Sequence, residues 1–141
     1  MKTFFLTGFV FFVFLFSTTY GQNFIGMTKD EIKQTMNESK KEFYFAKEVN
    51  TDKYHFLKFE NMDETKTMLF ILSENGECKY TKLMCDYSLL KHFEDSLNSN
   101  YEYQKNMKWI DYSENDSIPD YLIELEKRDW FFTIKTSPIK N

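Results

Sequence analysis

The sequence predicts an α+β fold, in which an antiparallel sheet of about six to seven strands carries two helices on one face. The predicted order is helix, four strands, helix, three strands. Two amphipathic segments each follow a helix-start signal, and short apolar segments alternate with polar turns. No interior stretch is rich in Pro, Gly or Ser. We therefore expect a leader at residues 1–21 and a single domain at residues 22–141.

The N-terminal segment has the composition of an export signal. Lys2 precedes the uncharged run Phe4–Phe16, and small residues follow up to Gly21. The apolar run is shorter than the ~20 residues that a membrane span needs, so a cleaved signal peptide at residues 1–21 is favoured over an uncleaved anchor. The sequence thus predicts a secreted or periplasmic protein with no membrane attachment after cleavage.

The charge balance is acidic, with 22 Asp and Glu against 18 Lys and Arg and a net charge of −4. Basic residues are scattered along the chain. Such a chain has no general attraction for nucleic acid or for anionic membranes. Aromatic residues make up 19% of the chain, so we expect Phe, Tyr and Trp to fill much of the core.

The first helix begins in the sequence GMTKDEI. Thr28 and Glu31 have the spacing of a capping box, and Met27 and Ile32 have the spacing of a hydrophobic staple. Four strands are expected after this helix, with the Asn75-Gly76 turn before the fourth. They are Glu42–Val49, Tyr54–Glu60, Thr67–Leu72 and Cys78–Met84.

The second helix is expected after Asp86, whose side chain is suited to the N-cap. Its apolar stripe consists of Leu89, Leu90, Phe93 and Leu97. The segment from Tyr101 to Tyr112 is interpreted as one strand, and a hairpin of Tyr121–Glu126 and Trp130–Lys135 closes the chain.

Aromatic residues on the strand after the second helix are a candidate binding surface. Alternation along a single strand places four side chains on one side of the sheet: Tyr101, Tyr103, Met107 and Trp109. That side would suit a sugar, a peptide or a protein. The alternative is that it faces the second helix and belongs to the core.

Acidic residues crowd the C-terminal third, where Asp116, Glu124 and Glu126 are a possible acidic site. A pair of carboxylates is the equipment of glycoside hydrolysis, so a small hydrolase or a carbohydrate-binding protein is an alternative function. No Ser, Cys or Thr stands in a recognisable setting with His55 or His92, and we expect no enzymatic activity and no cofactor.

Two cysteines, Cys78 and Cys85, invite a disulfide in an exported protein. Seven residues of strand or of helix hold two Cα atoms farther apart than the ~7 Å that a disulfide allows. A disulfide therefore requires a bent segment, and two buried thiols or an intermolecular bridge are the alternatives. The equal spacing of Cys78, Cys85 and His92 is not a zinc pattern, and we expect no metal site.

The motif GMTKDEI resembles the first-helix start G-x-[TS]-x-x-[DE]-[VI] of small envelope domains. These include the outer-membrane-assembly lipoproteins and the β-lactamase inhibitory proteins. The resemblance implies helices before an antiparallel sheet and a role in protein binding. The chain lacks the Gly-x-Pro turn after this helix and the lipid-bearing Cys of that family, and no binding residue is carried over.

The leading functional hypothesis is therefore an exported, non-catalytic domain that binds a protein or peptide partner in the cell envelope or the medium. A third possibility is a secreted eukaryotic protein, because Asn37 and Asn115 each begin a glycosylation sequon.

Overall fold

The computed structural model describes residues 24–112 and 119–139. The predicted signal peptide, Asn115 and Asp116 lie outside these residues. The elements are α1 (Lys29–Ser39), β1 (Phe43–Asn50), β2 (His55–Asn61), β3 (Lys66–Leu72), β4 (Cys78–Asp86), a 3-10 turn (Tyr87–Leu89), α2 (Leu90–Asn100), β5 (Glu102–Tyr103), β6 (Lys108–Asp111), β7 (Tyr121–Lys127) and β8 (Phe131–Pro138).

All strands of the described residues belong to one antiparallel sheet of eight strands, in the order β1-β2-β3-β4-β8-β7-β6-β5. Each helix is followed by a four-stranded meander, and the two meanders join where β4 pairs with β8. The predicted α+β class with an antiparallel sheet is confirmed. The predicted count of six to seven strands is wrong, because the second half contains four strands and not three.

The additional strand arises in the segment that the sequence predicts to be one strand. There β5 and β6 pair with each other across a turn in which Gln104 N–H donates to the carbonyl of Lys108 at 2.9 Å. Asn106 and Met107 adopt positive φ angles of 54° and 56°. Left-handed backbone is accessible to Asn but costly for Met, so the sequence gives only a weak turn signal here.

Helix α1 begins as the capping box predicts. The Thr28 hydroxyl accepts from the Glu31 N–H at 3.4 Å, and the Glu31 carboxylate accepts from the Thr28 N–H at 2.8 Å. The preceding Gly26 has a φ of 86°, a left-handed conformation that suits glycine, and its N–H donates to the carbonyl of Cys78 at 2.8 Å. The start of α1 is thereby attached to β4.

Helix α2 is introduced by the 3-10 turn, which Asp86 caps by accepting from the Ser88 N–H at 2.8 Å. Of its predicted apolar stripe, Phe93 and Leu97 are buried, and Leu89 and Leu90 pack at the margin of the same cluster. The second predicted helix is thus present, starting one 3-10 turn after its cap.

A row of directly paired residues crosses the whole sheet and defines its covered face. In strand order the row is Glu48, Leu57, Phe70, Thr81, Thr136, Ile123, Trp109 and Tyr103. Phe70 belongs to the cluster that contains Ile32 and Met36 of α1, whereas Trp109 belongs to the cluster that contains Phe93 of α2. Both helices therefore lie on the same face of the sheet.

Residues one position out of phase with that row point to the opposite side, because side chains alternate along a strand. We call this side the open face. Within residues 24–112 and 119–139, both helices bury their apolar residues on the covered face, and neither lies on the open face.

Candidate functional site

A second row of paired residues crosses the open face from β1 to β6. We call it the cross-strand row, and in strand order it is Lys47, Lys58, Leu69, Lys82, Lys135, Glu124 and Lys108. Neighbouring strands lie ~4.8 Å apart, so this row is about 29 Å long. Lysine dominates the row although the whole chain is acidic.

Some lysines of the row have carboxylate partners and some do not. Lys58 pairs with Glu60, and Lys108 pairs with Glu124 at 3.1 Å. The ammonium of Lys135 lies 4.8 Å from the centre of the Tyr80 ring. Among the described residues, neither Lys82 nor Lys135 forms an ion pair with a carboxylate. Positive charge without an ion-pair partner among the described residues thus lies in the middle of the sheet, at Lys82 and Lys135.

Lys82 and Lys135 are directly opposite each other on β4 and β8. Like charges in this position destabilise a sheet, because the two side chains stand side by side on one face. Both side chains are half-buried, and the Lys135 ammonium lies over the Tyr80 ring. The fold therefore keeps an unfavourable pair where its two halves join.

Apolar side chains flank the cross-strand row. On one side a parallel row consists of Val49, Phe56, Ile71 and Tyr80. All four are half-buried, although no described helix covers them. Contiguous apolar side chains that no described helix covers are a feature of interaction surfaces.

Two adjoining grooves run along the open face and share Lys82 and Thr133 in their linings. One groove has a volume of about 540 Å³ and ends at Trp130, and the other has a volume of about 380 Å³ and ends at Lys108. Trp130 is 86% exposed on the β7–β8 turn. A free indole beside a groove is unusual, because Trp normally buries most of its surface.

The four residues predicted to share one side of the sheet lie mostly in the core, which is the alternative interpretation of this segment. Trp109 is only 1% exposed, and its indole N–H donates to Asn98 of α2 at 2.9 Å. Tyr101 and Met107 pack against the same cluster, and burial raises the pKa of Tyr101. Tyr103 alone is exposed, with its ring centre 5.5 Å from that of Trp109. The structure therefore places Tyr101, Met107 and Trp109 in the cluster under α2, whereas Tyr103 stays exposed at the margin of the covered face.

The described residues of the possible acidic site are engaged separately. Glu124 pairs with Lys108 at 3.1 Å, and Glu126 pairs with Arg128 at 3.0 Å. Both lie on the open face of β7, and Asp116 lies outside the described residues. These contacts make Glu124 and Glu126 part of the charge pattern of the open face.

Cys78 and Cys85 are both free and buried, one in the cluster under α1 and the other in the cluster under α2. Burial raises the pKa of each thiol to about 12. Because the thiolate is the reactive and metal-binding form, neither side chain is suited to nucleophilic or metal chemistry at neutral pH.

A cluster of polar groups at the β1 end of the covered face also has structural contacts. Nε2 of His55 lies 3.3 Å from Glu48, which also accepts from Lys29 at 3.1 Å. The hydrogen bond from Lys29 is the main cause that lowers the pKa of Glu48. This cluster links α1 to β1 and β2.

A small cavity of about 60 Å³ lies between the two core clusters and is lined in part by Thr81, Asp111 and Tyr121. Ligand pockets usually measure roughly 300–1,000 Å³, so this cavity is too small for an organic ligand. In the part of the chain that the structure describes, no group of three or more His, Cys, Asp or Glu could hold a metal ion. No described helix has the length and apolarity to cross a bilayer.

Comparisons with protein-family models, with curated proteins and with solved structures find no match for this chain. The candidate site is consequently defined by geometry and charge alone. It consists of the cross-strand row, the apolar residues beside it and Trp130 at one end.

The sequence did carry a signal for the row. Lys58, Lys82 and Lys135 each interrupt a mostly apolar strand segment. Alternation assigns each lysine to the side opposite its apolar neighbours, but only the pairing register brings the three strands together and places the lysines in line.

Proposed function

We propose that the domain is an exported, non-catalytic module that binds a protein or peptide partner in the cell envelope or the medium through its open face. The observation that carries this proposal is the open face itself. It is a continuous surface across the sheet, with half-buried apolar residues and no described helix on it.

The form of the surface supports a macromolecular partner. The cross-strand row spans about 29 Å, which is wider than a small ligand but suits a segment of protein. Interface cores favour aromatic residues, Met and Arg, and the open face offers Phe56, Tyr80, Met84 and Phe131 with Trp130 at its margin.

A hydrolase or carbohydrate-binding function has less support. Glu124 and Glu126 are two residues apart on one strand, and each is paired with its own cation. Trp109, the largest ring of the predicted aromatic surface, is buried and hydrogen-bonded to α2. Neither arrangement offers a facing carboxylate pair or a free stacking platform.

Site-specific photo-crosslinking tests the proposed function. A photoreactive phenylalanine replaces Tyr80 on the open face, and in a matched control it replaces Lys91, an 86% exposed residue of α2. We expect one dominant adduct in the exported fraction from position 80 and none of the same mass from position 91. Adducts of equal yield from both positions, or repeated absence of an adduct at position 80, would contradict the proposal.

A further inference from the structure

We infer that the open face receives an acidic amphipathic helix of the partner protein, lying across the strands along the cross-strand row. This inference rests on the proposed function and specifies the chemistry of the partner. Three observations carry it: the charge of the row, the spacing of its residues and the apolar side chains beside it.

The first observation is uncompensated charge. The chain has a net charge of −4, yet lysine occupies most positions of the row, and Lys82 and Lys135 oppose each other without a described carboxylate partner. A carboxylate that binds between these two ammonium groups removes their repulsion and adds charge-assisted hydrogen bonds. An acidic partner therefore offsets the like charge of two residues that the strand register places directly opposite each other.

The second observation is the spacing of the row. Successive positions in it are ~4.8 Å apart, and helical residues at i, i+3 and i+4 advance about 4.5–6 Å along the helix axis. In an extended partner chain, residues on the same side are about 6.7 Å apart. Such a chain would therefore lose alignment with the lysine row by roughly 2 Å at each position. A helix of about 19 residues spans the 29 Å row, and because one face of a helix repeats every ~5.4 Å it loses alignment with the row by only about 0.6 Å at each position.

The third observation is the chemistry around the lysines. Leu69 lies within the row, and Ile71 and Tyr80 lie beside it, so apolar side chains of an amphipathic helix also find contacts. Glu124 in the row and Glu60 beside it would repel a continuous phosphate backbone. Separate carboxylates on a helix avoid these two positions, which favours an acidic protein segment over nucleic acid.

A binding titration with the purified chain tests this inference. The probe is a synthetic 20-residue helical peptide of Glu, Leu and Ala with Glu on one face, followed by fluorescence anisotropy. We expect saturable binding that weakens about tenfold when ionic strength rises from roughly 0.05 M to 0.5 M, because the contacts are exposed ion pairs.

Charge-neutralising variants locate the binding. The double variant Lys82→Gln/Lys135→Gln is expected to lose about tenfold in affinity, since two charge-assisted contacts disappear. The matched control Lys40→Gln/Lys91→Gln removes the same charge from the helix side, and its affinity is expected to stay within about twofold of the parent value. Circular dichroism and thermal unfolding verify that each variant is folded.

Several results would overturn the inference. These are equal losses in the two double variants, undiminished binding of the same peptide with a central proline, absence of peptide binding, or tighter binding of an oligonucleotide of similar length. The proposed function is judged separately. An adduct from position 80 that forms with undiminished yield in the Lys82→Gln/Lys135→Gln background would retain the open face as the partner site and reject only the acidic helix.

Discussion

Adjacent residues of β3 show how differently the two faces of the sheet are built. Phe70, on the covered face, is fully buried, with its ring centre 4.8 Å from that of Phe24 and 5.5 Å from that of Phe59. Ile71, on the open face, remains half-buried between Phe56 and Tyr80. Among residues 24–112 and 119–139, one face is thus covered by helices and the other is not.

Charged groups differ between the faces in the same way. On the covered face, Glu48 gathers Lys29, Lys33 and His55 around one carboxylate. On the open face, Lys82 and Lys135 are side by side without a described carboxylate partner. Substitutions on the covered face should therefore affect stability most, whereas substitutions on the open face should affect binding most.

The largest difference is expected between Phe70→Ala and Ile71→Ala. Removing the buried Phe70 ring leaves a cavity and should lower the free energy of unfolding by about 4 kcal/mol. Ile71→Ala removes side-chain contacts that are already partly exposed to water and should cost about 1 kcal/mol. Urea denaturation of both variants measures the difference, and equal losses would show that the two faces are equally packed.

A partly buried hydrogen bond between the sheet and α2 gives the next largest effect. Asn98→Ala leaves the Trp109 indole N–H without its acceptor, so we expect a loss of about 1–3 kcal/mol in unfolding free energy. The control is a double-mutant cycle with Trp109→Phe, in which the donor is absent. If Asn98→Ala lowers the free energy of unfolding by the same amount in the Trp109→Phe background as in the parent protein, the hydrogen bond is not the cause of the loss.

Trp109 also shows where sequence reasoning fails for this chain. Alternation on one continuous strand places Tyr101, Tyr103, Met107 and Trp109 together, but the turn at Asn106 and Met107 divides that strand. Without Gly or Pro, only a polar interruption marks the turn in the sequence. The local error changed the strand count, whereas the packing of Trp109 under α2 is the alternative that the sequence had left open.

Sequence signals for helix caps and turns predicted the structure more reliably than strand periodicity did. The capping box at Thr28 and Glu31, the cap at Asp86 and the turn at Asn75-Gly76 each depend on contacts within a few residues. The cross-strand row depends instead on register between strands far apart in the chain, as for Lys82 and Lys135. Periodicity identifies the faces of one strand but not its neighbours.

A smaller effect on stability is expected at the start of α1. Thr28→Ala removes the acceptor for the Glu31 N–H and should lower the free energy of unfolding by about 1 kcal/mol. Thr28→Ser retains the acceptor and serves as the matched control, with an expected loss near zero. Thermal unfolding of the two variants separates the cap from other effects of substitution at this site.

The smallest effect on stability is expected at the centre of the open face, and its sign is opposite. Lys82→Gln removes one member of the like-charge pair with Lys135, so the free energy of unfolding should rise by about 0.2–1 kcal/mol at low salt. The gain should shrink at high salt, because exposed charges are screened. Lys91→Gln, which removes an exposed lysine paired with Asp95, should instead leave stability unchanged or slightly lower.

A stability gain accompanied by weaker partner binding would identify Lys82 as a residue retained for interaction, whereas a clear loss of stability would show that the lysine pair supports the fold.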